Sequence, residues 1–284
     1  MQSFKDFARQ FFIKNSKKLE SNYPGITFRR FIDDLQLLNS NKDLSNLPYS
    51  GLVEKEFESV WSDLRLGRPL EYITNRAFFY KSEFYVDERV LIPRFETELL
   101  VEKASLFAKK NEFNNLVEIG VGSGAILISL LQELPTPVNY TGIDISVDAL
   151  EVANFNLNKL KYTFSSNHQG RLVEGDRLCN FHDKVQLIVS NPPYIPQGDE
   201  TVHSQVHLFE PHLALYLPEN EYMKWHKKFF MQVNDCLEKN GLFLMEGHEK
   251  YLCKLAKILE IFDFTSVSIE QDYCERNRFL MARK

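Results

Sequence analysis

The sequence predicts an α/β protein: a doubly wound, mostly parallel sheet preceded by a small helical domain. Three observations carry that expectation. Seven β-prone runs, at 116–119, 138–143, 171–174, 185–190, 241–246, 265–270 and 278–282, alternate with helix-patterned stretches in the first four gaps and over 248–260. A glycine turn, Gly120-Val121-Gly122-Ser123-Gly124, directly follows the first run and opens a helix. Residues 1–72 instead repeat apolar side chains at helical spacing.

Taken in order, Phe4, Phe7, Phe11 and Phe12 share one helix face. After Tyr23-Pro24-Gly25, Thr27 caps a helix that carries Phe28, Phe31, Ile32, Leu35 and Leu38 on one side. A polar loop from Asn39 to Asn46 leads to a helix with Phe57, Val60, Trp61 and Leu64, stopped by Gly67 with Pro69 beyond. These stripes read as the core of a helical domain over 1–72. Residues 73–93 form a β-hairpin linker, with Phe78 to Val86 as its β-prone stretch. The α/β domain spans 94–284 and starts with a helix from about Phe95 to Lys110. The charged turn from Asp272 to Asn277 leaves no room for a helix, so the last two strands pair antiparallel.

The composition is that of a globular protein, with 44% hydrophobic and 26% charged residues among 284. A net charge of −5 does not suggest a large nucleic-acid-binding face. Seven Lys/Arg stand against Asp6 and Glu20 in residues 1–30, a basic end that reads most simply as a solvated helix face. Cys179, Cys236, Cys253 and Cys274 form no C-x-x-C pair, which fits reduced thiols in the cytoplasm. No apolar run approaches a membrane span, and the start lacks the core and cleavage site of a secretory signal. His203 and His207, with His212 nearby, lack a carboxylate or cysteine pattern and read as loop histidines, so no metal site is expected.

The glycine turn is ambiguous by itself. Gly120, Gly122 and Ala125 also satisfy a loose dinucleotide fingerprint, with Asp144 near the required distance. Asp144 ends the second strand, where a carboxylate accepts the hydroxyl protons of a ribose. Two features favour S-adenosylmethionine. Glu118, just before the turn, repels a pyrophosphate but suits a methionine amino group. Ser146 to Leu150 begins a helix directly after Asp144. The candidate cofactor residues are Glu118, Gly120, Val121, Gly122, Ser123, Gly124, Asp144, Arg177 and Asn191, with Gly175-Asp176-Arg177 placed beside the adenine.

The fourth run ends in Asn191-Pro192-Pro193-Tyr194. Two prolines remove backbone donors and stiffen the chain. The tetrapeptide offers an amide, a backbone carbonyl and an aromatic face to a planar nitrogen group. Asn191, Pro192 and Tyr194 are the candidate catalytic residues, and Pro193 joins them as substrate-binding. Methyl transfer to an amide or amino nitrogen follows as the expected chemistry. An adenine amino-methyltransferase, a cofactor-binding scaffold without catalysis and a dinucleotide oxidoreductase are the competing readings. The first wants a basic groove, whereas residues 76–284 carry 23 Lys/Arg against 29 Asp/Glu.

With these pieces in place, the chain resembles the glutamine methyltransferases that modify peptide chain release factors. The matching stretches are Gly67 to Ile73, Val90 to Glu98, Glu118 to Ala125, Asp144 to Leu150, Ile188 to Ile195 and Glu210 to Leu215. The resemblance implies a Rossmann-like, seven-stranded methyltransferase sheet over 94–284 behind a substrate-recognition domain. It also implies S-adenosylmethionine as donor, S-adenosylhomocysteine as product, and the glutamine of a release-factor Gly-Gly-Gln loop as acceptor. A cytoplasmic monomer without a stable nucleic-acid partner is expected. The chain departs from the family at Phe95, where proline is usual, at Arg177, where an aromatic is common, across 217–220 and 246–251, and at Glu275.

Overall fold

The computed structural model describes residues 4–37, 60 and 62–284. The chain divides into two compact units, Met1–Arg76 with Val202–Phe209, and Ala77–Thr201 with Glu210–Lys284.

The first unit is helical, with helices Phe4–Lys14, Ser16–Asn22, Phe28–Leu37 and Leu70–Thr74, and with residues 62–66 also helical. Its core holds Ala8, Leu19, Ile26, Phe31, Ile32, Leu64 and Leu70. The Phe12 ring lies 5.4 Å from Phe31 and 5.7 Å from Phe28, so the aromatic stripes meet as expected. Thr27 Oγ1 accepts the Arg30 N–H at 3.2 Å and caps its helix. Gly67 stops the 62–66 turn with a left-handed φ of 81°. The side chains of Phe4, Phe7 and Leu35, together with Leu38, the 39–46 loop, Phe57 and Trp61, lie outside the described residues.

In the second unit, β1 (Ala77–Phe79) and β2 (Ser82–Phe84) form the expected antiparallel hairpin, with Ala77 opposite Phe84. The large sheet contains β3 (Asn115–Ile119), β4 (Asn139–Asp144), β5 (Gln169–Glu174), β6 (Val185–Ser190), β9 (Leu237–Glu246), β10 (Ser266–Gln271) and β11 (Asn277–Arg283). A small parallel pair joins β7 (Ile195–Pro196) and β8 (Tyr216–Leu217). The large sheet runs β10-β11-β9-β6-β3-β4-β5. All neighbours are parallel except β10–β11, antiparallel as expected, and β9–β11, whose antiparallel pairing follows from β11 entering between β9 and β10.

Alternating side chains sort into two cores. Leu116, Leu187, Leu242 and Leu244 face helices Glu98–Lys110, Ala125–Glu133 and Val147–Leu160, where Phe79 and Phe84 of the hairpin also pack. Val117, Ile188, Phe243 and Met245 face helices Tyr222–Cys236 and Glu249–Leu259. Both sheet faces are thus covered by helices, as a parallel sheet requires.

One expectation fails. The gap between β5 and β6 contains no helix, only turns over residues 175–184. Arg177 there adopts a left-handed φ of 56°, and the bonds Cys179 N–H to Asp176 O and Phe181 N–H to Leu178 O close successive turns. Ten residues interrupted in this way leave too little regular backbone for a crossover helix.

The strand order reverses between β3 and β6, whose last paired residues are Ile119 and Ser190. Ser190 Oγ donates to the Ile119 carbonyl at 2.8 Å and ties the two ends together. A crevice at such a reversal point is where open α/β sheets bind ligands.

Candidate active site

The glycine turn and the Asn-Pro-Pro-Tyr segment begin one residue beyond these paired ends. They are neighbours in space: a Cβ on Gly120 would lie 3.7 Å from the Asn191 carbonyl oxygen. A cavity of about 350 Å³ opens here.

On the β3–β4 side, Gly122 takes a left-handed φ of 51°, and its N–H donates to Asp144 Oδ2 at 2.8 Å. Asp144 Oδ1 accepts the Ser146 N–H at 2.9 Å. Burial raises the Asp144 pKa, against the lowering effect of these backbone donors. Ser146 Oγ in turn accepts the Ala149 N–H and caps the following helix. Glu118 is 1% exposed, and its Oε2 has no hydrogen-bond partner among the described residues. Desolvation pushes its carboxyl well above the usual range; a backbone bond from Leu127 opposes the shift, and the nearby Asp144 adds to it. An orphaned buried carboxyl is costly unless a cation or donor meets it.

On the β6 side, Asn191 Nδ2 makes a long bond to Thr97 Oγ1, 3.4 Å. The Thr97 hydroxyl donates to Glu246 Oε2 at 2.6 Å, and the Tyr194 hydroxyl donates to Glu246 Oε1 at 3.0 Å. Glu246 is 1% exposed and burial raises its pKa, while Thr97, Arg278 and Tyr194 oppose the shift. The Tyr194 carbonyl accepts from the Tyr222 hydroxyl at 3.0 Å.

A third wall comes from two distant stretches. Arg94 Nη2 pairs with the buried Glu210 Oε1 at 2.5 Å, and Glu210 Oε2 accepts the Ile92 N–H at 3.2 Å. Pro93 and Arg94 thereby sit beside Pro211, Leu213 and Ala214 along the cavity.

Residues 95–214 match the family model of the methyltransferase small domain. The release factor glutamine methyltransferase of Chlorobaculum tepidum is 36% identical over 243 residues, covering 81% of this chain and 80% of that protein. The proteins of the same name from Flavobacterium psychrophilum and Streptococcus pneumoniae are 31% and 38% identical, over 79% and 70% of this chain and equal shares of their own. The chain belongs to the release factor glutamine methyltransferase family. It is a methyltransferase with a Rossmann-like α/β sheet, and the family implies S-adenosylmethionine-dependent chemistry.

The methyltransferase cavity brings together most of the residues singled out in its sequence. Glu118, Gly120, Val121, Gly122, Ser123, Asp144, Arg177, Asn191, Pro192 and Pro193 all line it. Gly124 and Tyr194 are not among the lining residues. A Cβ on Gly124 would meet Ile128 and Ala153, so its surroundings are those of helix packing. Arg177 lies along the ring of Trp225 at 4.8 Å and donates to both Asp176 oxygens and to the Trp225 carbonyl.

Several residues escaped the sequence reading. Trp225 lines the cavity yet sits in an amphipathic helix, where an aromatic reads as core. Thr97 stands at a helix start, where its sequence position fits either a capping residue or the border of the pocket; its side chain makes no cap bond and lines the cavity. Glu246 carried only a weak signal. A buried Glu at the C-terminal end of a parallel strand beside the reversal point was the one available clue to Glu246.

Proposed function

We propose that this enzyme transfers a methyl group from S-adenosylmethionine to the side-chain amide nitrogen of the glutamine in a release-factor Gly-Gly-Gln motif. The observation that carries the reading is the adjacency of the Asn191-Pro192 clamp to the Gly120 turn on one cavity. Membership of the release factor glutamine methyltransferase family supports it, and the relatives' names do not favour an adenine acceptor or an inactive scaffold.

The residues present fit the donor. Glu118 Oε2 is an orphaned acceptor suited to an ammonium group. Asp144, which lines the cavity, accepts from the Gly122 and Ser146 N–H groups, and a carboxylate has further lone pairs to accept from a ribose hydroxyl. Trp225 and Arg177 offer a flat surface to an adenine. When bound, S-adenosylmethionine supplies a methyl group on a positively charged sulfur that departs as a neutral thioether.

The acceptor nitrogen is a poor nucleophile, because its lone pair is delocalised into the carbonyl. Asn191 Oδ1 and the Pro192 carbonyl accept hydrogen bonds from its two N–H groups and hold the amide plane, Pro193 and Tyr194 stiffen the clamp, and one of those protons leaves to solvent after the methyl is transferred. Asn191 also borders the donor. Hydrogen bonds to the two protons favour the charge that develops on nitrogen, so positioning and electrostatics supply most of the acceleration. Residues 1–72 serve as the recognition domain, 73–93 as a joint and 94–284 as the catalytic domain. The enzyme acts as a cytoplasmic monomer, with no stable nucleic-acid partner. Among the described residues no helix is long and apolar enough to cross a membrane.

The test uses labelled S-adenosylmethionine with a release factor, its Gly-Gly-Gln→Gly-Gly-Ala variant and bulk nucleic acid. Label on the first alone supports the reading. Label on nucleic acid, or equally on both factors, overturns it.

A further inference from the structure

Both ends of the Asn191–Tyr194 segment converge on one carboxylate from another strand. Tyr194 reaches Glu246 Oε1 directly, and Asn191 reaches Oε2 through Thr97. The order of donors along this relay is dictated by chemistry. An ionised carboxylate only accepts. The Thr97 hydroxyl has a single proton, and at 2.6 Å from Glu246 it is spent on a short, charge-assisted bond. What Thr97 can offer Asn191 is therefore a lone pair, and only the NH₂ end of the Asn191 amide can use it. Asn191 Oδ1 is turned the other way, which is the orientation needed to accept a proton from a substrate amide.

We propose that Glu246 and Thr97 are positioning residues that set the amide of Asn191 oxygen-outward, and so decide that the acceptor site receives N–H groups rather than carbonyls. The inference deepens the proposed function and rests on it for the identity of the acceptor. Arg278 Nη1, 4.0 Å from Glu246 Oε1, places an opposite charge beside the carboxylate and opposes the effect of its burial, and Asp272 pairs with that guanidinium at 3.3 Å. Thr97 is 3% exposed and lines the cavity, so water has little access to replace its contact.

Thr97→Val keeps the shape and deletes the lone pair, Thr97→Ser keeps the hydroxyl, and Glu246→Gln keeps the size but can donate. With a glutamine amide donating to Thr97, the hydroxyl proton is released toward Asn191 and the amide turns over. The experiment measures methylation of the Gly-Gly-Gln factor at saturating donor, donor affinity by calorimetry, and hydrogen exchange of the Asn191 side-chain amide by NMR on ¹⁵N-asparagine-labelled protein. We expect Thr97→Val and Glu246→Gln to lose about 10²-fold in kcat, the scale of a misplaced reacting group, with donor affinity unchanged. Thr97→Ser restores turnover. Exchange at the Asn191 amide quickens in Thr97→Val and not in Thr97→Ser. Equal turnover of the Val and Ser variants, a parallel fall in donor affinity, or unaltered exchange in Thr97→Val overturns the proposal. A wild-type enzyme that leaves the Gly-Gly-Gln factor unlabelled refutes the acceptor assignment instead, and the exchange comparison still judges the relay.

Discussion

The side-chain amide of Asn156 donates at 2.9 Å to the Ser123 carbonyl inside the glycine turn. The same nitrogen donates to the Tyr85 carbonyl at 2.9 Å, and Oδ1 accepts the Tyr85 N–H at 2.8 Å. One fully buried asparagine thus fastens the chain leaving the hairpin to the turn that lines the cavity. Asn156→Leu should lower the denaturant midpoint, at about 1–3 kcal/mol for each backbone group left unpaired. An unchanged midpoint would show that these bonds contribute nothing net.

Asn191→Ala removes one acceptor from the proposed amide clamp. Losing one preorganised partner of the developing charge typically costs about 10²–10³ in kcat. Turnover measured at saturating donor decides the matter, and near-wild-type rates there dismiss the catalytic role.

Asp144→Ala should act on the donor. Hydrogen bonds to a charged group contribute about 1.5–3 kcal/mol each, so affinity for S-adenosylmethionine should drop by at least about tenfold. Calorimetry on the free enzyme measures this, and equal affinity rules out the ribose contact.

If Glu118 meets the donor's ammonium group as proposed, donor binding should depend on pH. Its pKa in the free protein is raised, chiefly by burial. An ammonium group beside it favours the ionised form and lowers that pKa, so the complex holds fewer protons than the free enzyme. Affinity should therefore rise with pH from the ordinary carboxylate value up to the raised one, then level off. A calorimetric series run upward from the ordinary carboxylate range should show this slope in the wild type and its loss in Glu118→Gln. A flat wild-type profile contradicts the assignment.

The sheet was legible because its strands are short, apolar and spaced by helix-length gaps, and because the reversal point puts its two loudest motifs at adjacent strand ends. The donor side was legible for the same reason: Glu118, Gly120 and Asp144 lie within one strand-turn-helix-strand unit. The braces behind the site were not. Thr97 and Glu246 are 149 positions apart, and Arg94 and Glu210 are 116 apart, so neither pair leaves a local pattern. Tyr194 looked like an aromatic wall in sequence, but its hydroxyl is engaged by Glu246, a partner known only once β9 lies beside β6. The missing crossover between β5 and β6 reflects the opposite error, in which the alternation of the rest of the sheet was extended to a gap of only ten residues.

In the proposed arrangement Glu118 grips the amino-acid end of the donor, and that end is identical before and after the reaction. Such a grip strengthens the hold on donor and spent donor alike, filling the enzyme at lower concentration without hastening the chemistry. Occupancy then follows the ratio of the two metabolites rather than the supply of either. In that arrangement spent donor that is not cleared competes with fresh donor for the same cavity, and the rate of modification falls as the spent form accumulates.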